Sequence, residues 1–262
     1  MFQETCRVIR LESLSSDTRR LVVAAPTVAR DIRAGQFVML AVAASYDPLL
    51  RRPFSAHFAE GDELTLYFRI VGKGTELLAR VQPGDELPLL GPLGKGFSLS
   101  PAPAILVGGG IGIAPLLLLA KELAKGGNRA AAIVLAGRSA QEVAPIADSF
   151  KPWTDKLVFT TDDGSFGLAG RADAALSALA PACLSVDTAP GAMVYACGPQ
   201  AMLKAVAAFC RDTQIRCQVS VESAMACGIG ACLGCAKPAT SGGYVHVCVD
   251  GPVFDAEKLS WN

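Results

Sequence analysis

The sequence lacks a net charge, a membrane-spanning apolar run and a recognisable secretory signal. Lys and Arg together number 24, as do Asp and Glu, whereas a protein that binds nucleic acid or an anionic membrane would be expected to have a basic excess. The uncharged stretch 101–120 is interrupted by prolines and glycines that break a continuous helix. The first residues include no apolar segment of the signal-peptide kind. We therefore expect a soluble, cytoplasmic protein with no nucleic-acid or membrane partner.

Cysteine, in contrast, is abundant. Nine occur in 262 residues, and four of them fall in one short region, at Cys227, Cys232, Cys235 and Cys248. In a reducing compartment, clustered cysteines indicate metal or redox chemistry more than disulfides. The other five are scattered, and a free cysteine is commonly a small buried hydrophobe.

The spacing of the four clustered cysteines follows the C-x4-C-x2-C…C pattern of plant-type [2Fe–2S] sites. Gly228, Gly230 and Gly234 lie between the first three cysteines or next to them. We expect them to allow unusual φ angles and to let backbone N–H groups approach the sulfur atoms. The fourth ligand comes from residues 244–248, which look like a short strand. The sequence therefore predicts a [2Fe–2S] cluster.

Two other kinds of metal site use cysteine or histidine ligands. A structural zinc site is the simpler alternative, but zinc ribbons usually present two C-x2–4-C pairs instead of three close cysteines and one distant one. A Rieske centre needs two histidine ligands, and the chain has only His57, far upstream, and His246. In a strand, His246 would share a face with Cys248, and we interpret it as a neighbour of the site.

The pattern of apolar residues predicts three domains. Residues 1–100 contain short strands separated by turn signals, typical of an antiparallel barrel, with one short helix at about 75–81. Residues 101–221 alternate short apolar runs with Ala- and Leu-rich segments, which predicts a parallel sheet with helices on both faces. Residues 222–262 are dense in Gly and Cys and resemble a loop built around a ligand. The predicted fold class is β-barrel plus α/β with a C-terminal [2Fe–2S] loop subdomain.

A glycine-rich turn follows the first apolar run of the second domain and opens a helix at about 113–125. Gly109, Gly110 and Gly112 would let the backbone turn tightly and approach a pyrophosphate at the helix N-terminus. Pro115 replaces the third glycine of the G-x-G-x-x-G pattern, and proline suits a first helical turn. The position indicates a nucleotide site, although a glycine run is often only a tight turn.

Together these features resemble the ferredoxin reductase superfamily, in which a flavin-binding barrel precedes a nicotinamide-binding domain. Residues 52–55 match its flavin motif, Arg-x-[Tyr/Phe]-Ser. The resemblance implies that Arg52 holds the flavin phosphate, although a surface salt bridge is the alternative, and that Gly74 and Thr75 cap the short helix beside the diphosphate. The FAD-binding residues that it implies are Arg52, Pro53, Phe54, Ser55, Phe68, Arg69, Ile70, Gly74 and Thr75.

The same resemblance assigns residues around the nicotinamide. It places Cys197 at the contact between nicotinamide and flavin, so Cys197 is the candidate catalytic residue, with an ordinary buried cysteine as the alternative. Arg138 follows the second strand of the nucleotide domain and could hold the 2′-phosphate of NADP. Related NAD-linked subunits carry similar residues, so the choice between NAD and NADP stays open.

Over nearly its whole length, the chain resembles the electron-transfer subunits of type B dihydroorotate dehydrogenase. The order of the domains and residues 50–55, 161–165 and 250–254 carry this resemblance. It implies FAD, a [2Fe–2S] cluster and NAD as cofactors, and a heterotetramer with an FMN-containing dihydroorotate dehydrogenase catalytic subunit. Electrons would pass from dihydroorotate through that FMN, this cluster and FAD to NAD⁺. The alternatives are a stand-alone NAD(P)H reductase feeding an oxygenase, hydrogenase or ferredoxin, and a non-enzymatic cluster or zinc module.

Overall fold

Six strands form a closed antiparallel barrel in this computed structural model, which describes residues 1–43, 47–183 and 192–261. The barrel order is β1-β2-β5-β4-β3-β6. Along the last strand, residues point alternately into the core and towards solvent, the period-two pattern of a strand with one buried face. The strands are β1 (Phe2–Ser13), β2 (Thr18–Ala24), β3 (Phe37–Leu40), β4 (Arg52–Glu60), β5 (Glu63–Arg69) and β6 (Glu86–Leu93).

The barrel confirms the predicted fold of this region, but its elements differ in detail from the prediction. Strands β4 and β6 were not predicted as strands, and neither was helix α1 (Pro26–Asp31). The predicted short helix is α2 (Lys73–Leu78), which begins two residues earlier than expected. It does so because Gly72, not Gly74 or Thr75, occupies the N-cap position.

The second sheet has the order β10-β9-β8-β7-β11-β12-β15. All its neighbouring strands are parallel except β12 and β15, which pair antiparallel. The parallel sheet is as predicted, whereas the antiparallel edge strand was not predicted. The strands are β7 (Ala104–Gly109), β8 (Ala132–Gly137), β9 (Leu157–Thr161), β10 (Leu168–Ala169), β11 (Met193–Cys197), β12 (Arg216–Ser220) and β15 (Val253–Asp255). The helices between them are α3 (Leu116–Lys125), α4 (Ala140–Phe150), α5 (Ala172–Cys183) and α6 (Gln200–Asp212).

The strand order reverses direction between β7 and β11, which are hydrogen-bonded neighbours in the sheet. Cys197 at the end of β11 pairs with Gly108 of β7. In open α/β sheets, ligands bind at the carboxyl ends of the strands where the order reverses. The fold therefore places Cys197 and the glycine-rich turn at the position where a ligand is expected.

The C-terminal region forms a small subdomain that returns to the second sheet. Strands β13 (Ala236–Pro238) and β14 (Tyr244–His246) pair antiparallel, and a single helical turn, α7 (Val247–Asp250), follows. The chain then runs into β15 at the sheet edge. In residues 1–43, 47–183 and 192–261, no helix has both the length and the apolar character needed to cross a membrane.

Buried contacts join the barrel to the second sheet. One hydrophobic cluster includes barrel residues together with most of α3. The buried Lys121 donates from Nζ to the carbonyl of Ala59 at 2.8 Å, and the backbone N–H of Ala34 donates to the Glu122 carboxylate at 3.0 Å. His57 on β4 lies 2.8 Å, through Nδ1, from the carbonyl oxygen of Ala114. These contacts hold the barrel against α3 and against Ala114, which follows the glycine-rich turn.

Candidate functional site

A cleft of about 360 Å³ lies where the barrel, the second sheet and the C-terminal subdomain meet. All three regions contribute to its wall. Of the residues that the sequence singled out, the cleft is lined by Arg52, Pro53, Phe54, Ser55, Phe68, Arg69, Thr75, Gly112 and Cys197. Ile70, Gly74, Gly109 and Gly110 lie outside its wall. The structure thus brings the flavin motif and the candidate nicotinamide contact into one cavity.

The flavin motif lies on β4 with its aromatic residue packed against β5. The rings of Phe54 and Phe68 are tilted by 60° with their centroids 5.6 Å apart. Arg52 crosses directly over Gly74, where an added Cβ would lie 2.7 Å from the arginine Nε. A side chain at position 74 would displace the Arg52 guanidinium from its present position, although Gly74 does not line the cleft itself.

Thr75 takes part in capping the helix, as predicted, whereas Gly74 does not. Gly72 is the N-cap residue, and both Gly74 and Thr75 lie within the first turn of α2, where Thr75 is the N3 residue of a capping box. The Thr75 hydroxyl accepts hydrogen bonds from the backbone N–H groups of Val71 at 2.9 Å and Gly72 at 3.2 Å. It also donates to the Gly72 carbonyl at 2.9 Å, so it closes the turn at the mouth of the cleft.

The glycine-rich turn is shaped by close backbone contacts. Gly110 adopts a φ of 55°, which favours glycine. An added Cβ on Gly109 would lie 2.5 Å from the sulfur of Met202, and one on Gly112 would lie 2.4 Å from the Cα of Gly198. Only glycine fits at Gly112 without displacing the backbone at the end of β11.

Cys197 is buried at the switch point between β7 and β11. Burial, with a further contribution from the nearby carboxylate of Glu222, raises the pKa of the thiol to about 12. The thiol is therefore protonated at neutral pH. It faces the cleft as a neutral group with little exposed surface.

Several residues of the cleft wall were missed by the sequence reasoning, among them two that follow β12. Glu222 and Met225 follow β12 and line the cleft, and Glu222 also lines a second cavity of about 240 Å³ beside the N-terminus of α6. The rule that ligands gather at the carboxyl ends of parallel strands could have indicated Glu222. No local signal marks Met225.

The cysteine loop directs backbone N–H groups at sulfur. The N–H groups of Ile229 and Cys232 donate to Sγ of Cys227 at 3.5 and 3.4 Å. That of Gly230 donates to Sγ of Cys248 at 3.2 Å, and that of Cys248 donates to Sγ of Cys235 at 3.4 Å. Hydrogen bonds of this kind stabilise thiolates and tune iron–sulfur clusters.

The four cysteines lie in two pairs. The Sγ atoms of Cys235 and Cys248 are 3.3 Å apart and both are buried, whereas Cys227 interacts with the exposed Cys232. Backbone N–H groups, first that of Ile229 and then that of Cys232, lower the pKa of Cys227 to about 6, while burial raises the pKa of Cys248 to about 11. In the described residues, no three His, Cys, Asp or Glu side chains form a single-ion site. Two thiol pairs fit a two-iron cluster, in which each iron takes two thiolates.

The local backbone of this loop differs from the prediction in two respects. Cys248 lies on the helical turn α7 and not on a strand, because the strand ends at His246. The two residues therefore do not share a strand face. Positive φ angles occur at Gly228, Gly230 and Leu233, not at Gly234. The positive φ of Leu233 costs about 1 kcal/mol, because the left-handed backbone conformation is unfavourable for a residue with a side chain, and contacts in the surrounding loop must offset this cost.

Arg138 and Glu142 form an ion pair at the carboxyl end of β8. The Arg138 guanidinium lies 2.7 Å from the Glu142 carboxylate, which is also 3.0 Å from Arg69 of the barrel. The Arg138 backbone N–H donates to the same carboxylate at 3.0 Å. Burial alone would raise the pKa of Glu142, but this hydrogen bond and the charges of the two arginines outweigh it, so the pKa of Glu142 is lowered. The residue that could hold a 2′-phosphate is thus already engaged.

Comparison with protein-family models identifies three domains in this chain. Residues 222–260 match the iron-sulfur cluster binding domain of dihydroorotate dehydrogenase B. Residues 5–97 match an oxidoreductase FAD-binding domain, and residues 106–208 match an oxidoreductase NAD-binding domain. The predicted cofactors, FAD, an iron–sulfur cluster and NAD, are confirmed at the level of these domains.

Named relatives match almost the entire chain. The electron transfer subunits of dihydroorotate dehydrogenase B (NAD(+)) from Geobacillus thermodenitrificans and Bacillus caldolyticus are 40% and 39% identical, each over 98% of both chains. A solved structure of an NADH-dependent reduced ferredoxin–NADP oxidoreductase aligns with a TM-score of 0.86 at 26% identity. The alignment covers 98% of this chain and 90% of the chain in that structure. The comparisons agree with the fold and with the order of the three domains.

Proposed function

This chain belongs to the family of electron transfer subunits of dihydroorotate dehydrogenase B, and we propose that it passes electrons from a catalytic partner to NAD⁺. The partner in this proposal is an FMN-containing subunit that oxidises dihydroorotate, and the complex is a heterotetramer. The cluster ligands are Cys227, Cys232, Cys235 and Cys248. The requirement for reduced thiols agrees with a cytoplasmic location.

The observation that carries this proposal is the single cleft shared by the three domains. Phe54 from the barrel, Cys197 from the second sheet and Met225 from the C-terminal region line the same cavity. Met225 lies two residues before the first cluster cysteine, and Gly228 packs against Met39 of β3. A flavin in this cleft would therefore lie between the nicotinamide position and the cluster loop.

The protein contributes position and environment to this chemistry. When bound, the flavin exchanges electron pairs with nicotinamide and single electrons with the cluster. Phe54 and Phe68 provide an apolar wall for a flat ring, and Arg52 provides a positive charge for its phosphates. The neutral thiol of Cys197 and the close contact of Gly112 with Gly198 form the side of the cleft facing the second sheet.

An exposed apolar rim around the cysteines supports a partner at this position. Ile229, Leu233, Tyr244 and Val249 are large hydrophobic residues that are exposed to solvent in the chain alone. Clusters of exposed apolar side chains are typical of protein–protein contact sites. Cys232 is exposed within this rim, so a docked partner would lie against the cluster.

Co-expression with the neighbouring catalytic dehydrogenase tests the proposal. We expect the two chains to copurify with a mass of two copies of each, and dihydroorotate to reduce the cluster only in the complex. Leu233→Glu should weaken the complex about tenfold or more, because it places a charge in an apolar contact. Leu168→Glu, at the opposite edge of the second sheet, is equally exposed and should leave assembly unchanged.

Two outcomes would contradict the proposal. One is full dihydroorotate oxidation by this chain alone. The other is copurification with an oxygenase or a free ferredoxin and not with the dehydrogenase, which would instead favour the stand-alone NAD(P)H reductase.

A further inference from the structure

The carboxylate of Glu142 binds two arginines from two different domains. Arg69 on β5 approaches it to 3.0 Å, and Arg138 approaches it through Nη2 at 2.7 Å and Nε at 2.8 Å. Glu142 is only 8% exposed, whereas the side chain of Arg138 is 74% exposed. A nearly buried carboxylate therefore holds a surface arginine in place.

Arg138 lies where a nucleotide-binding sheet usually reads the adenosine ribose. It directly follows β8, the strand beside β7, and precedes α4. At this position a carboxylate binds the ribose 2′-hydroxyl of NAD, whereas an arginine accommodates the 2′-phosphate of NADP. An arginine without a partner would therefore favour NADP. The preference depends on whether a carboxylate of the protein already binds the guanidinium.

Two further acidic residues lie near this arginine. Besides Glu142, the turn after β9 places Asp162 and Asp163 beside it. The N–H of Asp162 donates to the Gly137 carbonyl at 3.0 Å, and that of Asp163 donates to the Arg138 carbonyl at 3.2 Å. Hydrogen bonds from Ser165 lower the pKa of Asp163, so this carboxyl is ionised at neutral pH. The local charge is therefore negative despite Arg138.

We propose that Glu142 makes the site select NAD over NADP by engaging the guanidinium of Arg138. A 2′-phosphate would have to displace Glu142 from Arg138, leaving the nearly buried carboxylate with Arg69 alone and close to a second anion. Desolvated charges that lose a partner are costly. A ribose 2′-hydroxyl, by contrast, can bind without disturbing the ion pair. This inference rests on the NAD site of the proposed function.

Binding of nucleotide fragments to the purified holo-complex tests the inference without turnover. The probes are 5′-AMP and 2′,5′-ADP, which differ only in the 2′-phosphate, and isothermal titration gives the ratio of their dissociation constants. We expect the wild-type protein to bind 2′,5′-ADP no more tightly than 5′-AMP. Glu142→Gln should shift the ratio about tenfold towards 2′,5′-ADP, because it frees a charge-assisted donor. The double variant E142Q/R138A should lose this gain.

Further variants separate specificity from folding. Arg138→Ala removes an exposed side chain and should change 2′,5′-ADP binding by less than about threefold, since the wild-type arginine is already engaged. Asp155→Asn breaks the exposed Arg129–Asp155 ion pair, which lies at the amino ends of β8 and β9, away from Arg138. It should leave the ratio of the two dissociation constants unchanged. Flavin and cluster absorbance report whether the variants stay loaded.

Three results would overturn the inference. They are tighter wild-type binding of 2′,5′-ADP, an unchanged ratio in E142Q, and a selective loss of 2′,5′-ADP binding in R138A. If neither fragment binds the wild-type complex, the NAD site of the proposed function fails as well. Binding of 5′-AMP with an unchanged ratio in E142Q contradicts the role of Glu142 alone.

Discussion

The backbone at Gly112 touches the backbone at Gly198, so closely that a Cβ added to Gly112 would lie 2.4 Å from the Cα of Gly198. This contact joins the glycine-rich turn after β7 to the end of β11. Gly112 also lines the cleft. The shape of the cleft on the side of the second sheet therefore depends on two residues that carry no side chain.

Gly112→Ala should damage both stability and nucleotide binding. The added methyl group forces a backbone shift, and overpacking of this kind costs about 1–3 kcal/mol of unfolding free energy. Urea unfolding and NADH binding measure the two effects. Gly126→Ala, at the end of α3, meets its nearest atom at 3.4 Å and should change stability by less than about 0.5 kcal/mol. Equal behaviour of the two variants would show that the Gly112 contact is not tight.

Cys235→Ser should abolish the cluster. Cys235 is buried, its Sγ lies 3.3 Å from that of Cys248, and loss of one thiolate leaves iron without its fourth ligand. Iron analysis and the visible spectrum measure the loss. Cys210→Ala, a buried cysteine on α6, should retain full iron content. Retention of iron in the Cys235 variant would remove this residue from the ligand set.

Cys197→Ala should slow reduction of the flavin by NADH about tenfold, since a small displacement of reacting groups has effects of this size or larger. Because burial raises the pKa of the thiol to about 12, the wild-type rate should show no inflection from this group below pH 9. Stopped-flow absorbance measures both, with Cys210→Ala as the control. A wild-type rate in Cys197→Ala would mean that the cysteine only packs.

His57 should make the protein less stable in mild acid. The Ala114 carbonyl accepts a hydrogen bond from Nδ1–H, and burial lowers the pKa of the imidazole to about 4, below its ordinary value of 6.5. Between pH 6.5 and 4, the unfolded chain binds a proton that the folded chain excludes. The contribution of the neutral His57 to the free energy of unfolding is therefore fully present above pH 6.5. It decreases by up to about 3 kcal/mol as the pH falls to 4.

His57→Asn tests this pH dependence, because an amide can donate to the same carbonyl without titrating. The difference in unfolding free energy between pH 8 and pH 4.5 should be smaller in the variant than in the wild-type protein. Other groups contribute equally to both proteins. The same difference in the two proteins would show that His57 does not cause the acid sensitivity.

The cluster and the flavin motif could be predicted because their signals are local. The cysteine spacing and the residues Arg52 to Ser55 are read within a few positions. The parallel sheet was predicted for the same reason, since each strand and helix has its own apolar pattern. The backbone conformation of the cysteine loop could not be predicted in detail. The helical turn at Cys248 and the positive φ at Leu233 arise from the way the loop folds back on itself, which the local sequence does not specify.

The features that were missed depend on contacts between distant positions. Strand β15 has only three residues and is defined by its pairing with β12, more than 30 residues earlier. Glu142 gains its significance from Arg69, which lies on another domain. No periodicity or propensity within a short window carries this information, because the contacts form only when the domains pack.

The most direct test of electron transfer from NADH to the cluster is an anaerobic titration of the purified chain with NADH, followed by visible absorbance and EPR. We expect the flavin band to bleach and a reduced [2Fe–2S] signal to appear in the same titration, since Cys197, the flavin motif and Met225, which leads into the cysteine loop, line one cleft. A colourless protein that contains zinc, or a cluster that stays oxidised while the flavin is reduced, would contradict this expectation.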